Sequence, residues 1–367
     1  MSSKLSVSMN KKPIYDILFE DSFDALANAL RGLDMEGCSA VIVTDSTVGP
    51  HYAALVEESV KDVFSSCFTV SFPAGEKSKN LETVKMLTEQ FVEHHLKRRD
   101  VVLALGGGVV GDVAGFCAAI YMRGIRVVQI PTTLLAQVDS SVGGKTGVDL
   151  DAYKNMIGAF KMPELVYINT SVLETLDARQ FYSGMAEALK YGLIMDSSFY
   201  EWMLTKLYEI HERDKAVMAE LIEQCCICKA KIVERDPLEQ SDRALLNFGH
   251  TIGHAIEKYK DFQLLHGECV ALGSVAAAYI SWQKGKLAKD EYYEIRDMFV
   301  PFNLPISIED IDAQEILRLT KSDKKADKGG VRFALLKRVG KAYLDSGVTD
   351  EEILAGIAEI EYREDGE

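Results

Sequence analysis

Five short apolar runs dominate the first half of the chain, and amphipathic helical stretches separate them. The runs occupy residues 41–43, 68–72, 101–105, 127–130 and 165–168. Apolar strands that alternate with helices predict βαβ units around a parallel sheet. Ligands of such sheets bind beyond the carboxyl ends of the strands. Polar or glycine residues follow three of the runs there, at Asp45, at Gly107 and at Thr132–Thr133.

The character of the sequence changes near residue 176. Beyond it the apolar repeats are helical, around residues 182–193, 217–233, 244–256 and 269–283, except for a late hairpin at residues 331–344. The predicted fold class is an α/β N-terminal domain with a Rossmann-like parallel sheet and a mainly α-helical C-terminal domain. We place the boundary so that the domains span residues 1–176 and 177–367.

The composition is that of a globular protein with room for two cores. Of the 367 residues, 47% are hydrophobic and 26% charged. A net charge of −15 argues against nucleic acid or a membrane surface as partner, although a local basic cluster can still hold an anionic small molecule. The seven cysteines do not form a disulfide framework, and Cys225, Cys226 and Cys228 are predicted to be small buried residues of a helix. The N-terminus does not resemble a signal peptide and no run of 18 apolar residues occurs, so we expect a cytoplasmic protein.

A glycine-rich turn directly follows the third apolar run. Residues 105–112 read LGGGVVGD, which fits the G-x-G-x-x-G pattern of a dinucleotide-binding turn ahead of a predicted helix at residues 113–121. Glycines let the backbone approach a pyrophosphate, and a helix N-terminus supplies N–H donors. The acidic residue usual in such motifs is missing from its place, so Asp45 is a candidate substitute. Alone, the pattern also fits a tight turn between a closely packed strand and helix.

Three of the seven histidines lie close together in the second half. His250 and His254 are spaced to share one helix face, His266 follows them, and Glu187 adds a carboxylate one turn before Lys190. Three nitrogen and oxygen ligands with an open fourth position are typical of a catalytic zinc site, where the metal polarises a substrate oxygen. The spacing leaves open whether His250, His254 or both bind the metal. A histidine pair at helical spacing is also often structural.

Basic and polar residues form two further groups that suit an anion. The first half carries Arg123, a segment at residues 139–147 with Lys145 after two glycines, and Lys154 beside Asn155. The second half carries Lys229, Arg243, Asn247, Lys324 and Lys325. If a helix begins near Arg243, then Arg243, Asn247 and His250 share one face. Taken singly, each of these cations is more often a solvated surface charge.

Together the motifs resemble the 3-dehydroquinate synthase family over nearly the whole chain. The resemblance is carried by PAGEKSK (residues 73–79), LGGGVVGDVAGFCAAIYMRG (105–124), QIPTTLLAQVDSSVGGKTGV (129–148), KNMIGAF (154–160), SGMAEALKYGLI (183–194), RALLNFGHTIGHAIE (243–257) and HGECVALG (266–273). Related iron- and zinc-dependent polyol dehydrogenases share the two-domain layout but lack the VDSSVGGKT and KNMIG blocks.

The resemblance implies a role for individual residues. Glu187, His250 and His266 match the zinc ligands, which leaves His254 on the substrate side. Positions that match NAD contacts are Asp45, Lys77, Gly107, Gly108, Val109, Val110, Gly111, Asp112, Thr132, Thr133, Lys145, Lys154, Val172, Leu173, Glu174 and Thr175. Positions that match catalytic or substrate-pocket residues are Arg123, Asp139, Lys145, Asn155, Lys190, Lys229, Glu239, Arg243, Asn247, His254 and one of Lys324 and Lys325.

The resemblance also implies an activity. It is the conversion of the sugar phosphate 3-deoxy-D-arabino-heptulosonate 7-phosphate into a carbocycle with loss of phosphate, with NAD and zinc or cobalt as cofactors, in a homodimer. Alternatives are another sugar phosphate cyclase, an NAD- and metal-dependent polyol dehydrogenase, or a non-catalytic metabolite-binding protein. Lys229 and Arg243 favour the acidic substrate, because sedoheptulose 7-phosphate and glucose 6-phosphate carry no carboxylate to pair with them.

Overall fold

The computed structural model describes residues 3–151, 153–322 and 331–362. Backbone contacts divide the chain into two units, Met1–Leu176 with Met218–Pro237 and Asp177–Val217 with Leu238–Glu367. The first break lies where the sequence analysis places its boundary. Residues 218–237, however, group with the N-terminal unit and not with the C-terminal one.

The first unit is built on a seven-stranded sheet and a separate two-stranded hairpin. The strands are β1 (Ser3–Met9), β2 (Lys12–Glu20), β3 (Ser39–Asp45), β4 (Ser66–Phe72), β5 (Val101–Gly106), β6 (Arg126–Pro131), β7 (Lys145–Leu150), β8 (Tyr153–Phe160) and β9 (Leu165–Asn169). In the large sheet the order is β1-β2-β9-β6-β5-β3-β4, with parallel pairing throughout except between β1 and β2. The five predicted strands and their parallel arrangement are confirmed.

Helices cover both faces of this sheet. They are α1 (Leu26–Arg31), α2 (Gly49–Val60), α3 (Leu81–Glu93) and α4 (Gly108–Ile120). Apolar side chains of α3 and α4 pack with one set of strand residues, and those of α1 and α2 pack with the other set. Burial on both faces explains why β3, β5, β6 and β9 are continuous apolar runs without alternation.

The strand order reverses between β3 and β5. From β3 the chain moves outward to the edge strand β4, and it then returns to form β5 on the opposite side of β3. Such a reversal leaves a crevice beyond the carboxyl ends of the two strands, because the following connections diverge to opposite faces. Asp45 ends β3 and Gly106 ends β5, so both candidate cofactor segments begin at this crevice.

The hairpin β7–β8 was not predicted from the sequence. Its strands mix polar and apolar residues and each contains a glycine, and Gly147 lies opposite Gly158 in the register. A Cβ on Gly158 would overlap the carbonyl oxygen of Thr146, and one on Gly147 would lie 2.6 Å from that of Ile157. Glycine therefore permits a close approach of the strands while lowering the strand signal in the sequence.

The second unit is mainly helical, as predicted. The remaining helices of the chain are α5 (Ala178–Met195), α6 (Ser197–Thr205), α7 (Leu207–His211), α8 (Lys215–Arg235), α9 (His250–Tyr259), α10 (His266–Gln283), α11 (Lys289–Asp297), α12 (Ala313–Ser322) and α13 (Asp350–Ile360). The late hairpin is also confirmed, as β10 (Phe333–Arg338) and β11 (Lys341–Asp345). Helix α8 begins in this unit and continues into the first one, where Cys225, Cys226 and Cys228 are buried as expected.

The helix predicted at residues 244–256 is wrong in its first half. Asp242–Asn247 form a 3-10 helix, Gly249 adopts a left-handed conformation with φ 78°, and α9 begins only at His250. Arg243, Asn247 and His250 therefore do not share the face of one continuous helix. Among the described helices, none combines the length and apolar character that a membrane span requires.

Candidate active site

The glycine-rich turn lies between the end of β5 and the start of α4. Gly107 is the N-cap of α4 and has no side chain to cap the helix, so N–H groups of the first turn are left for another acceptor. The helix begins at Gly108 and not at residue 113, which places Val109, Val110, Gly111 and Asp112 inside it. A Cβ on Gly111 would lie 2.8 Å from Gln129 Oε1, so a larger residue there would require the Gln129 side chain to move.

Asp45 is buried at the carboxyl end of β3. Its Oδ1 accepts hydrogen bonds from the backbone N–H groups of Thr47 and Val48, both at 2.8 Å. These bonds hold the carboxylate in place beside the end of β5, the neighbouring strand. The carboxylate is therefore fixed at the crevice, where the sequence analysis places a partner for a ribose hydroxyl.

An ionic network adjoins the glycine-rich turn, and its centre is the buried Lys79. Lys79 Nζ lies 2.7 Å from Asp112 Oδ2 and donates to Asn155 Oδ1 at 2.6 Å. Lys154 Nζ joins from β8, at 3.1 Å from Glu76 Oε1. Burial opposes the charge on Lys79, but Asp112 and Glu76 outweigh it and raise the pKa of this lysine, which is an ammonium at neutral pH. We call Glu76, Lys79, Asp112, Lys154 and Asn155 the Lys79 network.

Lys79 was missed by the sequence analysis, which selected Lys77 from the same PAGEKSK block. Lys77 is exposed, whereas Lys79 is buried in contact with α4 and the β8 strand. Two lysines in one short polar segment look alike in sequence, and only the tertiary contact with Asp112 separates them. The structure therefore favours Lys79 over Lys77 as the lysine beside the glycine-rich turn.

The other candidate cofactor residues lie on neighbouring segments of the first unit. Thr132 and Thr133 follow β6, and the backbone N–H of Thr132 donates to the carbonyl of Gly106 at 3.0 Å. The segment Thr170–Thr175 is a 3-10 helix after β9 in which Val172 and Leu173 are buried, while Glu174 and Thr175 are exposed. These segments extend from the carboxyl ends of β6 and β9, the strands that follow β5 in the sheet.

Two candidate substrate residues of the first unit form an ion pair. Lys229 Nζ lies 2.9 Å from Asp139 Oδ1, and both are placed by helical segments, α8 for the lysine and Ala136–Ser140 for the aspartate. Lys145 begins β7 after a turn in which Gly143 and Gly144 have positive φ. Arg123 is exposed just beyond α4.

The candidate metal residues converge in the second unit. One side-chain nitrogen from each of His250, His254 and His266 lies within 4.8 Å of the others. Helices α9 and α10 approach closely enough for this because glycines line their contact. A Cβ on Gly273 would overlap the carbonyl oxygen of Gly249, and one on Gly253 would lie 2.7 Å from that of Cys269.

Glu187 completes this histidine cluster from α5. Its Oε1 lies 3.3 Å from His250 Nε2 and 3.4 Å from His266 Nε2. The side chain is fully buried, and among the described residues its Oε1 has no hydrogen-bond partner. Lys190, one turn later on α5 and also buried, forms an ion pair with it. A buried carboxylate oxygen between two imidazole nitrogens, without a hydrogen bond, is the arrangement that a coordinated cation satisfies.

The electrostatics of the cluster also favour positive charge. Burial alone would raise the pKa of the Glu187 carboxyl, but Lys190 and His250 outweigh it and hold that pKa well below its usual range. Burial opposes protonation of His266, yet its interactions with Glu187 and Glu257 raise its pKa to about 9. The pocket thus stabilises a cation at the point where Glu187 and the imidazoles meet, and a divalent metal supplies that charge while leaving the imidazoles neutral.

The remaining candidate residues of the second unit lie before α9. Arg243 is buried with 1% of its surface exposed, and Asn247 Nδ2 donates to Glu239 Oε1 at 3.1 Å. The 3-10 helix and the break at Gly249 place these residues on a segment distinct from the one that carries His250. Lys324 and Lys325 lie outside the described residues.

Comparison with known proteins identifies the family. A family model described as the N-terminal part of 3-dehydroquinate synthase matches residues 69–183, and one for the C-terminal part matches residues 184–326. The 3-dehydroquinate synthase of Thermoanaerobacter pseudethanolicus is 44% identical over 349 residues, which cover 94% of this chain and 97% of the relative.

Solved structures of sugar phosphate cyclases have the same fold. A 2-epi-5-epi-valiolone synthase from Streptomyces hygroscopicus with NAD+ and Zn2+ bound gives a TM-score of 0.88 at 27% identity, covering 97% of this chain and 99% of the other. A 2-deoxy-scyllo-inosose synthase complexed with carbaglucose-6-phosphate, NAD+ and Co2+ gives 0.87 at 25% identity, covering 97% and 100%. On the strength of the two family models and of a relative aligned along nearly its full length, the chain belongs to the 3-dehydroquinate synthase family.

Proposed function

We propose that this chain is a 3-dehydroquinate synthase, which converts 3-deoxy-D-arabino-heptulosonate 7-phosphate into 3-dehydroquinate and phosphate. The observation that carries this is the relative of that name, 44% identical over 97% of its own length. The reaction has no net redox change, because the hydride removed from a ring carbon before phosphate leaves is returned afterwards. Its product is a carbocyclic acid on the route to aromatic amino acids.

The cofactors proposed are NAD and a divalent metal, zinc or cobalt. When bound, NAD takes and returns the hydride, and the metal polarises the oxygen on the carbon that is oxidised. The protein's part is to hold one flexible, multiply charged molecule in place through several steps and to exclude water. Charged anchors at both ends of the substrate meet that requirement.

The metal ligands proposed are Glu187, His250 and His266. Support comes from the Nε2 atoms of both histidines, which face Glu187 Oε1 at 3.3 and 3.4 Å. Their Nδ1 atoms face other acceptors, the Phe248 carbonyl at 3.0 Å for His250 and Glu257 Oε2 at 3.7 Å for His266. Acceptors on Nδ1 favour the tautomer whose Nε2 is free to bind a metal. His254 is then assigned to the substrate.

The substrate is proposed to be held by its two anionic groups. Lys229 and Arg243 are assigned to the carboxylate, since a buried guanidinium and ammonium pair best with such a group. The phosphate is assigned to a set of donors that lie on β7, on β8 and around the start of α9. These are Lys145, Asn155, Asn247 and His254, with one of Lys324 and Lys325. Lys190 and Glu239 complete the proposed substrate residues, as does Asp139 through its pair with Lys229.

The NAD site is proposed at the crevice between β3 and β5. The N–H groups at the start of α4 suit the pyrophosphate, and Asp45 suits a ribose hydroxyl. Thr132 and Thr133 follow β6, residues 172–175 follow β9, and Lys154 lies on β8; these residues complete the proposal. To these the geometry adds Lys79, which holds Asp112 and Asn155 in place.

The chain is further proposed to form a homodimer in the cytoplasm. Exposed apolar side chains on the β7–β8 hairpin, among them Tyr153, Met156 and Phe160, suit a partner surface. Arg123 is assigned to the substrate pocket of the neighbouring subunit. A cytoplasmic location suits the phosphorylated substrate and the buried thiols of α8.

The decisive experiment follows phosphate release and carbocycle formation from the heptulosonate phosphate in the presence of NAD. We expect both products, loss of both on treatment with a chelator, and recovery with Zn2+ or Co2+. Sedoheptulose 7-phosphate and glucose 6-phosphate serve as the rival substrates. Turnover of either in preference to the heptulosonate would assign the chain to another cyclase activity, and steady accumulation of NADH would indicate a polyol dehydrogenase.

A further inference from the structure

Arg179 and Glu268 form a two-bond fork next to the histidine cluster. Arg179 Nε donates to Glu268 Oε1 at 2.6 Å, and Nη2 donates to Oε2 at 2.7 Å. Arg179 lies in the first turn of α5 and Glu268 in the first turn of α10. The fork therefore ties the helix that carries Glu187 to the helix that begins with His266.

The same two side chains hold the backbone on both sides of His266. Glu268 Oε2 accepts from the backbone N–H of Leu265 at 2.7 Å, which caps α10. Arg179 Nη2 also donates to the carbonyl of Gln263 at 3.3 Å. One guanidinium thus fixes the chain before His266 directly and the chain after it through Glu268.

Three successive turns of α5 contact three consecutive residues of α10. Arg179, Ser183 and Glu187 are four residues apart and share one helix face. Arg179 binds Glu268, Ser183 Oγ accepts from the backbone N–H of Gly267 at 3.0 Å, and Glu187 Oε1 lies 3.4 Å from His266 Nε2. The contact between Glu187 and His266 is therefore one of three successive contacts between α5 and α10. The Arg179–Glu268 fork is the one nearest the start of α5.

We propose that Arg179 and Glu268 are positioning residues that hold His266 at the distance from Glu187 that metal binding requires. The inference rests on the proposed ligand set of Glu187, His250 and His266. Groups that orient a ligand without touching the metal change metal affinity strongly even when they contribute little to folding. The Arg179 side chain is 54% exposed and that of Glu268 12%, so solvent screens the ion pair on one side and limits its contribution to global stability. A positioning role therefore predicts weaker metal binding with little change in the free energy of unfolding. A purely structural role predicts a change in both.

The test measures metal affinity and unfolding of the full-length variants Arg179→Gln, Glu268→Gln and the double variant. Zn2+ affinity is obtained by competition with a chelator, and the visible absorption of the Co2+-loaded protein reports ligand geometry. Urea unfolding of the metal-free proteins reports the fold. Arg318→Gln is the control for loss of a two-bond fork, because Arg318 pairs with Glu315 within α12, a helix that packs on α9 but carries no proposed ligand.

We expect Arg179→Gln to weaken Zn2+ binding by about 10- to 100-fold. The Co2+ spectrum should change, and the unfolding midpoint should move no further than in Arg318→Gln. The double variant should lose no more affinity than the stronger single variant, because both act through one contact. Arg179→Lys keeps the charge but cannot form the fork, so it should also bind Zn2+ more weakly than the wild type.

The variant His266→Ala tests the proposed ligand set separately from the positioning role of Arg179 and Glu268. If His266→Ala retains the metal, the ligand set itself is wrong. If His266→Ala loses the metal while Arg179→Gln and Arg179→Lys bind it as tightly as Arg318→Gln, the ligand set stands and the positioning role is rejected. Equal weakening of metal binding and of the metal-free fold would likewise reject it, in favour of a structural role.

Discussion

Lys79 Nζ lies 2.7 Å from Asp112 Oδ2, although the two residues come from different segments of the first unit. The lysine follows a short 3-10 helix at Glu76–Ser78, and the aspartate lies in the first turns of α4. Asn155 Oδ1 accepts from the same ammonium at 2.6 Å. One buried cation therefore joins the glycine-rich turn to the β8 strand that carries Lys154 and Asn155.

Removal of that cation should destabilise the protein and weaken NAD binding. Lys79→Met leaves the Asp112 carboxylate, which is 20% exposed, without its counter-ion, and the loss of one partner from a largely buried pair costs up to about 3 kcal/mol. Urea unfolding measures the free-energy change, and titration of NAD measures the affinity. The matched control is Lys77→Met, two residues away and exposed, for which a change below about 0.5 kcal/mol is expected. Equal effects of the two substitutions would remove Lys79 from the proposed cofactor site.

Substitution of Lys145 should lower the turnover rate and leave the affinity for NAD nearly unchanged. If it holds the phosphate group near the proton that this leaving group must take, Lys145→Ala lowers kcat by about 100-fold or more, while NAD affinity changes little. Steady-state kinetics and NAD titration on the same preparation separate the two quantities. Losses of similar size in both would mean that Lys145 binds the cofactor and does not position the phosphate.

The histidines of the cluster should divide into two classes. His266→Ala should abolish metal retention and turnover while the first unit stays folded, since the substitution removes a proposed ligand from the second unit only. His254→Ala should keep one metal ion per chain and lose turnover. The metal content of each variant is measured after gel filtration, and circular dichroism checks that the variant is folded. Retention of metal by a folded His266→Ala protein, together with its loss in His254→Ala, would exchange the roles assigned to these two residues.

Close packing of α9 and α10 should be essential to the metal site. In Gly273→Ala the new methyl group would overlap the Gly249 carbonyl oxygen, so the helices must separate. Overpacking of this kind costs about 2 kcal/mol or more, and the altered distance between His250 and His266 should weaken metal binding. Unfolding and metal titration measure both effects. Gly32→Ala is the control, because its nearest contact would be an acceptable 3.4 Å; wild-type behaviour of Gly273→Ala would show that the helices have room to adjust.

The parallel sheet could be predicted because its central strands appear in the sequence as short apolar runs. Residues 101–105 are buried on both faces of the sheet, and a continuous apolar run suits that environment. The histidine cluster could be anticipated for a similar reason, since His250 and His254 are one helical turn apart. Both inferences depend on local spacing, which sequence displays directly.

Other features depend on contacts between distant segments, which local spacing does not display. The helix predicted through residues 244–256 breaks because Gly249 packs against α10, where a Cβ would lie 2.8 Å from the Val270 carbonyl oxygen. The β7–β8 hairpin depends on Gly147 and Gly158 facing each other across the strands. Lys79 differs from Lys77 through its burial and its contacts with Asp112 and Asn155. In each case the structure depends on a contact with a residue from another segment of the chain.

The glycine contacts between α9 and α10 have a consequence for how the family can vary. Where two backbones touch, the helices cannot move closer, and any side chain at the contact would force them apart, so the spacing of the imidazoles depends on glycine being kept at these positions. Discrimination among first-row divalent ions then depends on the kind of donor atoms offered, on how those atoms are arranged and on which ions the cell supplies.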